Sequence, residues 1–195
     1  QDQVGGIYGG IKLSHSNDTL PLEVKVTVIP ASSQFLKILS DHLLLLFTGK
    51  ARLARNLLSN VIRRWYGRFP EILETIKELK ENAKFAANAF GNENLSDIGL
   101  ALRNYWEQKK KMAKGCEPKI VAKIFTELRS ELYGESLAGA GGGGFMVLLT
   151  KQPNFQKEIE EKLIDSGLMD KSCMKFYSVS ITDSGLKTEY VQSVC

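Results

Sequence analysis

Five glycines fall within six consecutive positions, Gly139-Ala140-Gly141-Gly142-Gly143-Gly144, and lead straight into the apolar stretch Phe145-Met146-Val147-Leu148-Leu149. A flexible linker is polar and exposed. This run is flanked by Ser136-Leu137-Ala138 and by five apolar residues, so it is expected to lie against a core, with the apolar stretch as a buried strand. Only glycines let a backbone come close to a bulky anion while leaving N–H groups free to donate. The run is therefore a candidate ligand-lining loop. Formally it contains GxGxxG, from Gly139 through Gly141 to Gly144. A dinucleotide fingerprint needs a strand before it and a helix after it. Here the pattern predicts a helix before and a strand after, which excludes that reading. Phe145 stands where a Walker loop needs Lys, which excludes the other.

Periodicity organises the rest. The first fifty residues read as strand-rich. Leu22, Val24, Val26 and Val28 alternate with Glu23, Lys25 and Thr27, the signature of a half-buried strand. His42 to Thr48 is a continuous apolar run that predicts a strand buried on both faces. Four helices follow. The first carries Leu53, Leu57, Leu58, Val61, Ile62 and Trp65 on one face. The second runs from Pro70, a residue suited to a first turn, to Gly91. The third opens near Ser96-Asp97 and carries Leu100, Leu102, Trp106 and Met112. The fourth runs from Pro118 to Gly134. After the glycine run come a helix from about Pro153 and two strands, near Met174–Ile181 and Leu186–Val191, joined by the turn Thr182-Asp183-Ser184-Gly185. The pattern is a helical cluster packed on an antiparallel sheet, an α+β domain.

Composition narrows the function classes. In 195 residues, 26 basic and 22 acidic side chains leave a net charge of +4, spread along the chain, so charge alone does not point to nucleic acid. The run Lys109-Lys110-Lys111 with Lys114, after Tyr105-Trp106, is too short for a nucleic-acid patch and predicts a solvated face with Trp106 in the core. No apolar run approaches a membrane span. Three scattered cysteines with no CxxC argue against a disulfide framework or a zinc ribbon, and His15 and His42 are too far apart in sequence to suggest a metal site.

The segment Ser136 to Phe145 resembles the third, C-terminal motif of the GHMP small-molecule kinases. The opening Gln1-Asp2-Gln3-Val4-Gly5-Gly6 is similar to the QDQ segment of their sugar-kinase branch. Phe47-Thr48-Gly49-Lys50-Ala51-Arg52-Leu53-Ala54-Arg55 and Tyr105-Trp106-Glu107 with Gly115-Cys116-Glu117-Pro118 look closest to the fucose kinases of that branch. These blocks span residues 1 to about 149; the remainder matches weakly. The resemblance implies transfer of the γ-phosphoryl of ATP, with Mg²⁺, to a sugar hydroxyl, here the anomeric hydroxyl of L-fucose, in the cytoplasm. It implies a ferredoxin-like C-terminal domain over 1–195, with residues 1–13 at the boundary with an N-terminal kinase domain. It places Asp2 as the base and Gly139, Ala140, Gly141, Gly142, Gly143 and Gly144 beside the phosphates. Thr48, Gly49 and Arg52, at a strand-to-helix turn, are candidate substrate contacts or a plain capped turn.

The family's second motif, the main phosphate cradle, has no match here. Together with a chain that opens without Met or leader, this suggests a sequence cut from something longer and inactive on its own. The alternatives are a heptose-phosphate or galactose kinase of the same family, or a non-catalytic module in which the glycine run is only a tight connection.

Overall fold

The structure, a computed structural model, describes residues 2–49 and 55–187. Four strands form the central sheet: β3 (Leu43–Phe47), β4 (Leu132–Leu137), β5 (Phe145–Thr150) and β6 (Lys175–Tyr177). Their order is β4-β5-β3-β6, and every pairing is antiparallel. Helices α3 (Arg55–Tyr66), α4 (Pro70–Gly91), α5 (Leu95–Met112) and α6 (Lys119–Leu128) lie between β3 and β4, and α7 (Gln156–Asp165) lies between β5 and β6. This is the split β-α-β-β-α-β arrangement of ferredoxin-like domains, with its first helical connection expanded to four helices.

Period two on the sheet and period 3.6 on the helices meet in one main core. Leu44 and Leu46 of β3, with Met146 and Leu148 of β5, pack with Trp106, Ile124, Leu128, Ile159 and Leu163, all buried. Trp106 lies edge-on to Phe125, with ring centroids 6.2 Å apart, and its indole N–H donates to Glu117 Oε1 at 2.7 Å. A buried indole needs such a partner. A second core joins Phe35, Leu39, Ala89, Ile98 and Leu149. Between them α5 rests close on β4, so that a Cβ on Gly134 would run into the main chain of Gly99.

Pairing across that contact is ionic. Arg103 of α5 donates to Glu135 of β4 through Nε (3.0 and 3.1 Å to the two carboxylate oxygens) and through a terminal nitrogen at 2.8 Å. The same nitrogen reaches the Leu132 carbonyl at 3.3 Å. Glu135 is 2% exposed.

The sequence expectations for α4, α5 and α7 hold to within a turn. Elsewhere the chain departs from them. The first fifty residues are not mostly strand: they hold α1 (Asp2–Ile7), β1 (Ile11–Ser16), β2 (Val24–Ile29) and α2 (Ser33–His42). Helix α2 is set by Ser32, whose hydroxyl accepts from the Phe35 amide at 3.0 Å, and by Phe35 and Leu39 one turn apart on the buried side. Of the β2 valines, Val24 and Val28 are exposed and only Val26 is part-buried. Leu43, Leu45 and Phe47 of β3 are only part-buried, so β3 alternates and is not covered equally on both sides. Helix α6 ends at Leu128, because Leu132 to Leu137 pairs with β5 as β4. Of the strand expected near Met174–Ile181, Lys175–Tyr177 forms; the strand expected near Leu186–Val191 lies mostly outside the described residues. Past the Thr182–Gly185 segment, Leu186 donates to the Ile7 carbonyl at 3.3 Å. Residues beyond 187 lie outside the described residues. Among the described residues, no helix is long and apolar enough to cross a membrane.

Candidate functional site

The glycine run is the loop between β4 and β5. Since β4 precedes it, the loop joins two antiparallel strands; a strand stands before it after all, and the dinucleotide reading fails on the other side, where β5 follows in place of a helix. At its base Ala138 donates to the Phe145 carbonyl at 2.8 Å. Gly144 accepts from the Thr48 amide at 2.9 Å, which ties the loop to the end of β3. Gly142 donates to the Cys116 carbonyl at 2.6 Å. Gly141 to Gly143 are buried, and Ala138 to Ala140 form an exposed tip.

Glycine is required at Gly141 on two counts. Its φ is +90°, and a Cβ there would stand 2.9 Å from both the Cβ and the carbonyl oxygen of Cys116. Gly141→Ala is expected to cost about 1–3 kcal/mol of stability through backbone strain and to loosen the Gly142–Cys116 bond. Thermal melts, with amide exchange at Gly142, check this.

The loop's remaining amides matter for ligands. Those of Gly139, Ala140, Gly141, Gly143 and Gly144 donate to no described residue. Unpaired main-chain donors grouped on one turn are suited to an anion.

One cation closes on this loop. The Lys109 ammonium donates to the Gly139 carbonyl and sits over the rings of Tyr105 and Trp106, 5.5 and 5.6 Å from their centroids. Burial pulls the Lys109 pKa below the usual lysine value, partly offset by the Cys116 sulfur. Burial likewise raises the Tyr105 hydroxyl and the Cys116 thiol. The neighbouring Lys110 is different. Burial disfavours its charge, but hydrogen bonds and charge from Glu107 and Glu117 outweigh this and raise its pKa. So the basic run is not one solvated face. Its first lysine is a fixture of the glycine loop. The spacing Tyr105 to Lys109, one helical turn, was the available signal for that contact.

Beside the loop is a cavity of about 400 Å³, walled by Ala140, Lys109, Tyr105, Met112, Leu57 and Val61. It is of a size that takes a small ligand. It shares Leu57, Met112 and Ala113 with a second hollow of about 510 Å³ that carries Arg63, Arg64 and Lys114.

The structure thus joins Thr48 to Gly144. Gly49, at φ +75°, follows Thr48, and a Cβ on it would press on Cys173. Arg52 lies outside the described residues, as does the side chain of Asp2. The helix α1 that bears Asp2 is bonded through Gly5, whose carbonyl accepts from Lys12 at 3.4 Å, and through Ile7, which accepts from Leu186; Lys12 also donates to the carbonyls of Tyr8 and, at 3.1 Å, Gly10 in the turn that follows.

No family model matches the sequence. Two curated proteins do. The bifunctional fucokinase/GDP-fucose pyrophosphorylase of Arabidopsis thaliana is 34% identical over 181 residues, which is 93% of this chain and 17% of that protein. The L-fucokinase/L-fucose-1-P guanylyltransferase of Bacteroides fragilis is 25% identical over 197 residues, 96% of this chain and 20% of that protein. The chain therefore spans a fifth or less of either relative. Among solved structures, the L. major mevalonate kinase in complex with R-mevalonate superposes with a TM-score of 0.68 at 16% identity, covering 91% of this chain and 51% of that one. The chain has the α+β fold of the GHMP kinase C-terminal domain and is related, along nearly its whole length, to one segment of the bifunctional fucokinases.

Proposed function

We propose that this chain is the C-terminal part of an ATP-dependent sugar kinase that phosphorylates the anomeric hydroxyl of L-fucose. The observation that carries the proposal is the 34% identity to a fucokinase-bearing protein over 93% of the chain. The glycine loop supports it, because its unpaired amides suit phosphate oxygens. In this reading Asp2 accepts the proton of the sugar O1 hydroxyl as that oxygen attacks the γ-phosphorus. The bond from the γ-phosphorus to the bridging β,γ oxygen breaks, and ADP leaves. Lys109 holds the loop at Gly139 and adds positive charge beside the phosphates. Thr48, Gly49 and Arg52 are the substrate contacts in this reading.

Mg²⁺ is the usual companion of ATP. Among the described residues there is no group of three His, Cys, Asp or Glu placed to hold a metal. The ion would be carried by the nucleotide's phosphates and by carboxylates from elsewhere.

Residues 1–195 form one domain of a larger kinase whose N-terminal domain supplies the main phosphate cradle, with the boundary near residues 1–13. The isolated 195-residue chain is expected to show little or no fucose-dependent ADP release, and a normal rate from it would overturn that division. A panel of sugars offered to the complete polypeptide tests the acceptor. Phosphorylation of L-fucose in preference to galactose or a heptose phosphate is expected. Preference for either of the others would keep the kinase and change its substrate, and no phosphorylation of any would leave a binding module.

A further inference from the structure

The hollow that adjoins the loop-side cavity is built from α3, the first turn of α4 and the end of α5. Its volume of about 510 Å³ falls within the range of small-molecule sites. Among the described residues it carries three cations, Arg63, Arg64 and Lys114, and a single carboxylate, Glu71. Leu57, Phe69 and Met112 supply apolar wall between them. A concavity lined by one sign of charge, with walls of low dielectric, focuses its field and gathers counter-ions.

The three cations do not share one role. Arg64 is a fixture of the fold. One of its terminal nitrogens donates to the carbonyls of Lys111 and Met112, at 3.3 and 3.1 Å, in the last turn of α5. The other donates to Glu71 Oε2, and the guanidinium lies 6.0 Å from the centre of the Phe69 ring. Carbonyls at a helix C-terminus carry partial negative charge, so this cation is matched within the protein. Arg63 and Lys114 are not. The Arg63 guanidinium and the Lys114 ammonium have no hydrogen bond or ion pair to any described residue. They reach the hollow from two separate elements, α3 and the segment after α5, and Arg64 is the residue that ties those elements together. Two unmatched cations on one concave wall repel each other, and an anion between them reverses the sign of that interaction.

We propose that this hollow binds a phosphate-bearing small molecule. Arg63 and Lys114 donate to its phosphate oxygens through charge-assisted hydrogen bonds, and the apolar wall takes the remainder of the ligand. The site is distinct from the glycine loop, whose donors are main-chain amides, and touches the loop-side cavity only through Leu57, Met112 and Ala113. The phosphate belongs to a free pyrophosphate, a sugar phosphate or a nucleoside diphosphate. The inference stands independently of the kinase reading.

Isothermal titration of the complete polypeptide tests it, with pyrophosphate, L-fucose 1-phosphate and GDP as separate probes. A saturating non-hydrolysable ATP analogue and L-fucose are present throughout, so that the proposed catalytic cleft is filled. At least one probe is expected to bind with a dissociation constant below about 1 mM, and the tightest of the three identifies the source of the phosphate. Binding of none would overturn the inference. The double variant Arg63→Ala/Lys114→Ala should weaken that probe by roughly 10–100-fold, the usual worth of lost hydrogen bonds to charged groups. Both side chains are exposed, so its melting temperature should match the parent's. Undiminished binding in this variant would overturn the inference. Lys77→Ala/Lys80→Ala removes the same charge from the exposed side of α4, away from the hollow, and should leave binding unchanged. An equal loss there would reduce the effect to net charge and also overturn it. Probe binding without phosphorylation of any sugar would remove the kinase reading and leave the hollow standing. Phosphorylation without probe binding would do the reverse.

Discussion

Arg103→Ala is expected to destabilise the domain by about 3–5 kcal/mol, because it strands a buried carboxylate. Glu135 lies on β4, the strand that leads into the glycine loop, and has almost no contact with water. Arg103 supplies three of its hydrogen bonds. Arg129, the other cation near it, stands 3.6 Å away with its side chain 56% exposed, so it cannot replace a bidentate partner. For a domain of this size the change should lower the melting temperature by on the order of 10 °C. The pair need not be a net source of stability. Burying two charges costs desolvation, and breaking a pair is far worse than never having one. The double change Arg103→Met/Glu135→Leu should therefore recover most of the loss. Chemical denaturation of the two variants checks both statements. A single variant within 1 kcal/mol of the parent, well below the usual cost of an orphaned buried charge, would show that water reaches Glu135.

Asp2→Asn in the complete kinase polypeptide is expected to lower kcat by roughly 10²–10⁴-fold, the usual contribution of a positioned general base. The amide is nearly the same size but cannot take the proton from the attacking hydroxyl. KM for ATP should stay within about twofold, since in the proposed function the nucleotide is held by the glycine loop and by the cradle of the other domain. Steady-state kinetics with both substrates varied separates these effects. If turnover stayed at the parent level, the base would have to be sought elsewhere. A loss confined to KM for ATP would make Asp2 part of the nucleotide site instead.

Much of the architecture was legible because its signals are local. Pro70 and Gly91 bracket α4 as expected. The apolar run after Gly144 forms β5, and Trp106 is buried as its position on α5 predicted. What misled were elements whose state is decided at a distance. Leu132 to Gly134 reads as the end of the fourth helix, yet pairing of Leu132–Leu137 with β5 draws it into the sheet, so tertiary contact overrides local periodicity. Helix α2 hid within a stretch read as strands because its ten residues carry only two buried side chains. The valine alternation of β2 does form a strand, but only Val26 and Ile29 of it are part-buried while Val24 and Val28 are exposed, because the pattern marks a face to be covered and not what covers it. The site divides in the same way. Glycine content announced a close-approach loop, while the role of Lys109 depends on how α5 crosses the end of β4, which its surrounding run of lysines concealed.

The central claim is that the glycine loop and the residue at position 2 meet one substrate complex. A crystal structure of the complete polypeptide with a non-hydrolysable ATP analogue and L-fucose tests it most directly. The phosphates are expected against the amides of residues 139–144, with a carboxylate oxygen of Asp2 within roughly 3 Å of the sugar O1. Phosphates bound away from that loop, or a sugar whose O1 lies out of reach of Asp2, would contradict the account.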